Sequence, residues 1–153
     1  MIIFYCDGED IKKFMSLVLG GSAFDRLQLR SGEGVTRLKL TIDGRYNKEF
    51  DGVETERAYC LWSEVRQNVF DMIKGKKLPK YIKLVFALDD ESVIRLHPNA
   101  KAAFLNMSFE NGRITFTTGT AQRNFSMDKS LDEVWEGKVK EMFNKLGISI
   151  NIL

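Results

Sequence analysis

The chain has few of the residues from which disulfide frameworks and metal centres are built. Its 153 residues include two cysteines, two prolines and one histidine. Cys6 and Cys60 form no CxxC pair, so we expect reduced thiols rather than a disulfide or a cysteine metal site. The single histidine, His97, excludes a site of paired histidine ligands. We therefore predict no metal and no cofactor, and the absence of a recognisable catalytic motif makes an enzyme the less favoured class.

Long apolar segments are also missing. No apolar run approaches the roughly 18 residues of a transmembrane helix. Residues 1–6 are apolar, but they carry no basic residue and acids follow at once, which argues against a signal peptide. We therefore predict a cytoplasmic protein without a membrane contact. The net charge of +2 is too small to indicate a nucleic-acid binder by itself.

Enough apolar material is present for a single domain over residues 1–153, since 44% of the residues are hydrophobic. Each half of the chain shows the pattern of a strand, a helix, a hairpin, a further strand and a second helix. Trp62 and Trp135 fall at matching places in the two halves. We therefore predict an α+β fold of two tandem β-α-β-β-(β)-α repeats, 1–76 and 77–153, with an antiparallel-rich sheet and helices on one side.

Turn residues and alternation predict the hairpins. In the first half, strands over 24–30 and 35–42 would flank a turn at 31–34, and a third strand would cover 45–50. In the second half, Asn111-Gly112 is the turn dipeptide between alternating strands, and 123–127 would add a strand. Residues 81–88 form a nearly continuous apolar run, which predicts a central strand. Ser130 to Glu133 has the pattern of a capping box at the start of the last helix.

Several segments resemble a known family. They are Thr41 to Lys48, Trp62 to Arg66, Phe70 to Lys76, Thr117 to Thr120 and Leu131 to Trp135. They are similar to an uncharacterised family, a domain of unknown function, of small proteins from Clostridium-like Firmicutes. The resemblance covers most of the chain. It implies a bacterial cytosolic setting and no particular activity.

Positive charge is concentrated on the first predicted hairpin. Alternation would place its cations on one strand face, opposite the leucines. These cations are Arg26, Arg30, Arg37 and Lys39. Like charges that face each other across strands are destabilising, so a face of this kind indicates an anionic partner, either nucleic acid or an acidic protein. Acids from the stretch 51–56 would be the structural alternative, since they could neutralise the face.

A run of lysines without an intervening acid follows the second helix. It contains Lys76, Lys77 and Lys80 together with Lys74 and Lys83. The run is typical of a solvated helix end, where cations suit the helix dipole. We include Lys76, Lys77 and Lys80 among the candidate anion-binding residues.

A polar cluster offers an alternative ligand site. Asp43, Arg45 and Asn47 lie near the end of a predicted strand, and Arg123 and Asn124 lie near the equivalent place in the second half. A carboxylate, a guanidinium and an amide together could bind a small ligand or transfer a proton, although turn chemistry explains the same residues. Three hypotheses follow: a non-catalytic binding module for an anionic partner, a homo-oligomeric assembly protein that pairs through its terminal strand, and a small enzyme using the cluster.

Overall fold

One antiparallel sheet organises the molecule. The computed structural model describes residues 1–52 and 54–153, which form five helices and seven strands. The helices are α1 (Glu9–Gly20), α2 (Lys48–Asp51), α3 (Trp62–Ile73), α4 (Asp90–Leu96) and α5 (Ser130–Lys145). The strands are β1 (Ile3–Asp7), β2 (Gln28–Val35), β3 (Lys39–Asp43), β4 (Tyr81–Ala87), β5 (Ala100–Glu110), β6 (Arg113–Gln122) and β7 (Asn151–Ile152). Their order in the sheet is β3-β2-β4-β5-β6-β1-β7, with every neighbouring pair antiparallel. The α+β class is confirmed.

The core lies between one face of this sheet and helices α1, α3 and α5. Phe116 of β6 packs against Phe14 of α1 and Phe143 of α5, with ring centroids 5.0 and 4.9 Å apart. Trp62 of α3 packs edge-on against Phe86 of β4 at 5.1 Å. The opposite sheet face carries half-exposed polar side chains such as Thr115. This alternation is typical of an antiparallel sheet that is covered on one side.

The first hairpin differs from its prediction. The turn lies at Thr36–Leu38, and the predicted turn 31–34 lies inside β2. A Cβ atom on Gly34 would be 2.9 Å from Cε of Met72, and one on Gly32 would be 3.2 Å from Cδ2 of Leu84. These glycines therefore allow β2 to pass close to α3 and to neighbouring side chains. They mark tight packing within a strand, which the sequence alone does not distinguish from a turn.

Three further local predictions are wrong. The predicted strand 45–50 is a single bridge between Arg45 and Tyr59 followed by helix α2, whose first turn is capped by the Asn47 side chain. Residues 123–127 form no strand. Ser130 is the first residue of α5 rather than its cap, and the preceding Lys129 makes no side-chain capping bond.

Other predictions are confirmed. β4 lies inside the sheet with β2 and β5 on its two sides. Asn111 and Gly112 have φ angles of 53° and 71°, as a tight hairpin between β5 and β6 requires. In the described part of the chain, no helix combines the length and apolarity needed to cross a membrane.

The internal repeats stay a prediction. Both tryptophans are buried, but Trp62 is the first residue of α3 whereas Trp135 is the sixth of α5. The strands that would correspond also have different neighbours, since β1 lies between β6 and β7 and β4 lies between β2 and β5.

Candidate functional site

The pairing of β2 with β4 creates a groove at one end of the sheet. Val35, at the end of β2, is opposite Tyr81, at the start of β4. The backbone N–H of Lys80 donates to the carbonyl oxygen of Val35 at 2.8 Å. This register places the β2–β3 turn beside the loop from α3 to β4. The groove between them, which we call the basic groove, has a volume of about 600 Å³.

The basic groove is lined by cations. They are Arg37 from the turn and Lys74, Lys76, Lys77 and Lys80 from the loop. The other lining residues in the described chain are Thr36, Gly75 and Leu78, so no acid lines the groove. Lys74 forms an ion pair with Asp71 at 3.1 Å. Among the described residues, no ion pair involves the other four cations.

The four cations predicted to share a strand face are separated. Lys39 pairs with Glu33 across the hairpin at 3.2 Å. Arg26 lies in the turn before β2 and lines a different cavity, together with Glu56 and acids of the segment Asp89–Glu91. The prediction of one basic strand face is therefore wrong, since Arg26 and Arg37 lie in turns and Lys39 is paired with Glu33.

Arg30 is engaged by neighbouring side chains. The pairing of β2 with β4 shifts between Leu29 and Ser31, so Arg30 occupies a β-bulge. Its guanidinium lies 4.0 Å from the ring centroid of Tyr59, and its Nε donates to the buried Gln28 side chain at 3.2 Å. A bulge re-aims a side chain, and here it fastens the segment before α3 to β2. Arg37, Lys76, Lys77 and Lys80 are thus the predicted binding residues that the structure brings together.

The alternative polar cluster is divided between two turns. The Asp43 carboxylate accepts a bond from the backbone N–H of Arg45 at 3.0 Å, and the Asn47 side chain accepts one from Glu49 at 3.2 Å. At the other place, Nε of Arg123 donates to the carbonyl oxygen of Ala100 at 3.0 Å. The backbone N–H of Asn124 donates to the Asn99 side chain at 2.9 Å. These bonds hold the local backbone, as the turn interpretation predicts.

The single histidine contacts a serine in an arrangement that does not suit nucleophilic catalysis. Nδ1 of His97 accepts a bond from the backbone N–H of Asn99 at 3.0 Å, so the neutral ring carries its proton on Nε2. Nε2 lies 2.8 Å from Oγ of Ser130 and donates to it. A general base would have to accept the serine proton at that nitrogen. His97 therefore fixes the start of α5.

Neither cysteine is placed as an activated nucleophile. Cys6 is buried in the core, and burial together with the carboxylates of Asp10 and Asp7 raises the pKa of its thiol to about 11. Burial also raises the pKa of the half-buried Cys60 thiol. Reactive cysteines need the opposite shift. Within the described residues, no group of three or more His, Cys, Asp or Glu side chains is placed to hold a metal ion.

The fold and the groove define an α+β protein with a helix-covered antiparallel sheet and a lysine-rich groove at one end of that sheet. A family model, described as a family of unknown function (DUF5721), matches residues 17–151. The chain belongs to this family. No curated protein and no solved structure matches the chain.

Sequence reasoning identified the lysine run but not the groove. The run is visible in the sequence because Lys74, Lys76, Lys77 and Lys80 are separated by no acid. The sequence pattern predicts Arg37 on a strand face, because it predicts the turn at residue 31, five residues before its actual start at residue 36. Gly32 and Gly34 are the signal that could correct the position of the turn, since glycines at alternate positions fit a strand that packs closely beneath a helix.

Proposed function

We propose that the protein is a non-catalytic binding module that takes an anionic partner in the basic groove. The observation that carries the proposal is the convergence of Arg37 with Lys76, Lys77 and Lys80, none of them in an ion pair within the described chain. Like charges that line one groove repel one another, and an anion relieves that repulsion. The proposed setting is the cytoplasm of a bacterium of the Clostridium-like Firmicutes, as the family resemblance implies.

Of the two anionic partners predicted from the sequence, an acidic protein is favoured over nucleic acid. The residues lining the groove include no aromatic ring on which a base could stack, in the part of the chain that the structure describes. Two leucines beside the cations, Leu38 and Leu78, are 57% and 84% exposed. Apolar side chains next to charges are typical of a protein–protein contact. The net charge of +2 is also low for a nucleic-acid-binding domain.

A charge-matched pair of variants tests the proposal. Lys76→Gln/Lys80→Gln removes two groove cations, and Lys138→Gln/Lys140→Gln removes two exposed lysines of α5. Both variants have the same net charge. We expect the groove variant alone to weaken binding of an oligoglutamate peptide, measured by fluorescence anisotropy over a series of salt concentrations. Equal weakening by both variants would show that bulk charge, not the groove, attracts the peptide.

A short DNA duplex in the same assay separates the two classes of partner. If nucleic acid is the partner, the duplex will compete with the peptide. Loss of two phosphate contacts would then reduce the slope of log K against log salt by about 1.8. A groove variant that binds both probes like the wild type would contradict the binding-module proposal.

Homo-oligomeric assembly is a second candidate, and one edge of the sheet favours it. The terminal strand β7 has two residues, which offers little for pairing, whereas the opposite edge strand β3 has five. Leu40 of β3 is 44% exposed. An open edge with an exposed apolar residue can pair with another copy. Sedimentation velocity over a range of protein concentrations tests this, and a constant monomer mass would exclude it.

A further inference from the structure

We propose that a cleft beside the basic groove binds a long acyl chain that carries an anionic head group. The cleft, which we call the apolar cleft, opens between α1 and the end of α3 and has a volume of about 470 Å³. This volume lies in the range of about 300–1,000 Å³ typical of small-molecule sites. The proposal rests on the shape and lining of this cleft and does not depend on the partner of the basic groove.

The walls and floor of the apolar cleft are hydrophobic. On α1, Ile11, Met15 and Leu19 recur every four residues, which places them on one face of the helix. The floor is formed by Ile82 of β4 and Phe109 of β5, which are opposite each other in the sheet and 2% and 8% exposed. A cleft that descends between helices to the sheet fits a narrow apolar chain.

The polar side chains of the apolar cleft are all lysines. In the described chain they are Lys12, Lys74 and Lys77, each exposed, so they stand at the rim while the buried residues form the floor. No other lining side chain donates or accepts a hydrogen bond. A complementary ligand is therefore apolar along its length and anionic at one end. Long-chain carboxylates and acyl phosphates share that chemistry.

The two sites overlap but can be tested separately. Lys77 lines both of them, Lys12 lines only the apolar cleft, and Lys76 lines only the basic groove. Lys12→Gln should weaken binding of the acyl anion and leave oligoglutamate binding unchanged. Lys76→Gln should weaken oligoglutamate binding and leave binding of the acyl anion unchanged. Either proposal can therefore fail while the binding predicted by the other is still measured.

Calorimetric titration of the full chain with saturated fatty acids, below their micelle-forming concentrations, provides the test. We expect one saturable site, with affinity rising about fourfold for each added methylene until the chain fills the cleft. Dodecanoate should bind more tightly than its methyl ester and than dodecylamine. Lys12→Gln should weaken dodecanoate binding roughly two- to fivefold, as expected for an exposed ion pair, and leave the ester unaffected.

Blocking variants decide whether the apolar cleft is the site. Met15→Trp should fill the cleft and abolish dodecanoate binding. Leu19→Trp is the alternative blocking variant if Met15→Trp does not fold.

The affinities of dodecanoate and of an acyl phosphate with the same chain length, compared in the same titration, show whether the site prefers a carboxylate or a phosphate head group. The proposal is overturned if the wild type shows no saturable binding, if dodecylamine binds as tightly as dodecanoate, or if a folded blocking variant still binds. It is also overturned if sedimentation shows a dimer that Met15→Trp dissociates and dodecanoate does not.

Discussion

Replacing Trp62 with phenylalanine removes one hydrogen-bond donor from the centre of the core. Trp62 is fully buried, and its Nε1 donates to the carbonyl oxygen of Val18 at 2.6 Å. Val18 lies in the last turn of α1, where carbonyl groups have no partner within the helix. The neighbouring carbonyl of Leu17 accepts from the N–H of Gly21 at 3.0 Å. The indole N–H is therefore the partner that satisfies Val18.

The cost of this substitution follows from that geometry. A buried carbonyl left without a donor costs about 1–3 kcal/mol, and the smaller ring loses some contact with Phe86. We expect Trp62→Phe to lower the free energy of unfolding by about 2 kcal/mol, or the melting temperature by roughly 4–8 °C for a chain of this size. Trp62→Ala, which also leaves a cavity, should cost about 3–5 kcal/mol.

Urea unfolding followed by far-UV circular dichroism measures these values without relying on tryptophan fluorescence. Trp135→Phe provides a comparison, because Nε1 of Trp135 donates to the carbonyl oxygen of Phe104 at 2.8 Å in a less buried position. Water can replace that donor more easily, so Trp135→Phe should lower the free energy of unfolding by less than Trp62→Phe does. The indole N–H does not satisfy the Val18 carbonyl if the free energy of unfolding of Trp62→Phe is within about 0.5 kcal/mol of the wild-type value. The same conclusion follows if Trp62→Phe is less destabilising than Trp135→Phe.

Two further predictions concern the thiols and one glycine. Because the Cys6 thiol has a pKa raised to about 11, it should stay protonated and react slowly with iodoacetamide at neutral pH. Mass spectrometry of the native protein should find Cys60, which is only half-buried, labelled first; rapid labelling of Cys6 would contradict its burial. A Cβ on Gly44 would lie 1.8 Å from the backbone oxygen of Leu29, so Gly44→Ala should cost roughly 3 kcal/mol or more. Thermal unfolding measures this, and a variant as stable as the wild type would disprove the close approach.

Local signals in the sequence predicted most elements of the fold. The apolar spacing of α3 and α5, the continuous strand β4 and the Asn111-Gly112 turn depend on residues close together in the chain, so periodicity and turn chemistry are sufficient to find them. The errors at β2 and in the segment before α3 have a different origin. Gly32 and Gly34 look like turn residues until Met72 and Leu84 are known to lie against them.

The candidate site was only partly predictable for the same reason. The lysines of the groove adjoin one another in sequence, but Arg37 joins them through the pairing of β2 with β4, which connects distant segments. The bulge at Arg30 is equally invisible to a strict alternation, because it arises from the pairing of β2 with β4. The apolar cleft depends on the spacing between two helices, which no sequence period encodes.

The position of β1 in the sheet has a consequence for folding. β1 lies early in the chain, yet its partners β6 and β7 lie late, and the backbone N–H of Ile2 donates to Oγ1 of Thr118, 116 residues further along the chain. During synthesis, Phe4 and Cys6 cannot pair with Phe116 and Ile114 until most of the chain has been translated. Contacts of such high sequence separation slow folding. Insertion of β1 between β6 and β7 would then be a late event, and the nascent protein would expose an unpaired apolar strand until it occurs.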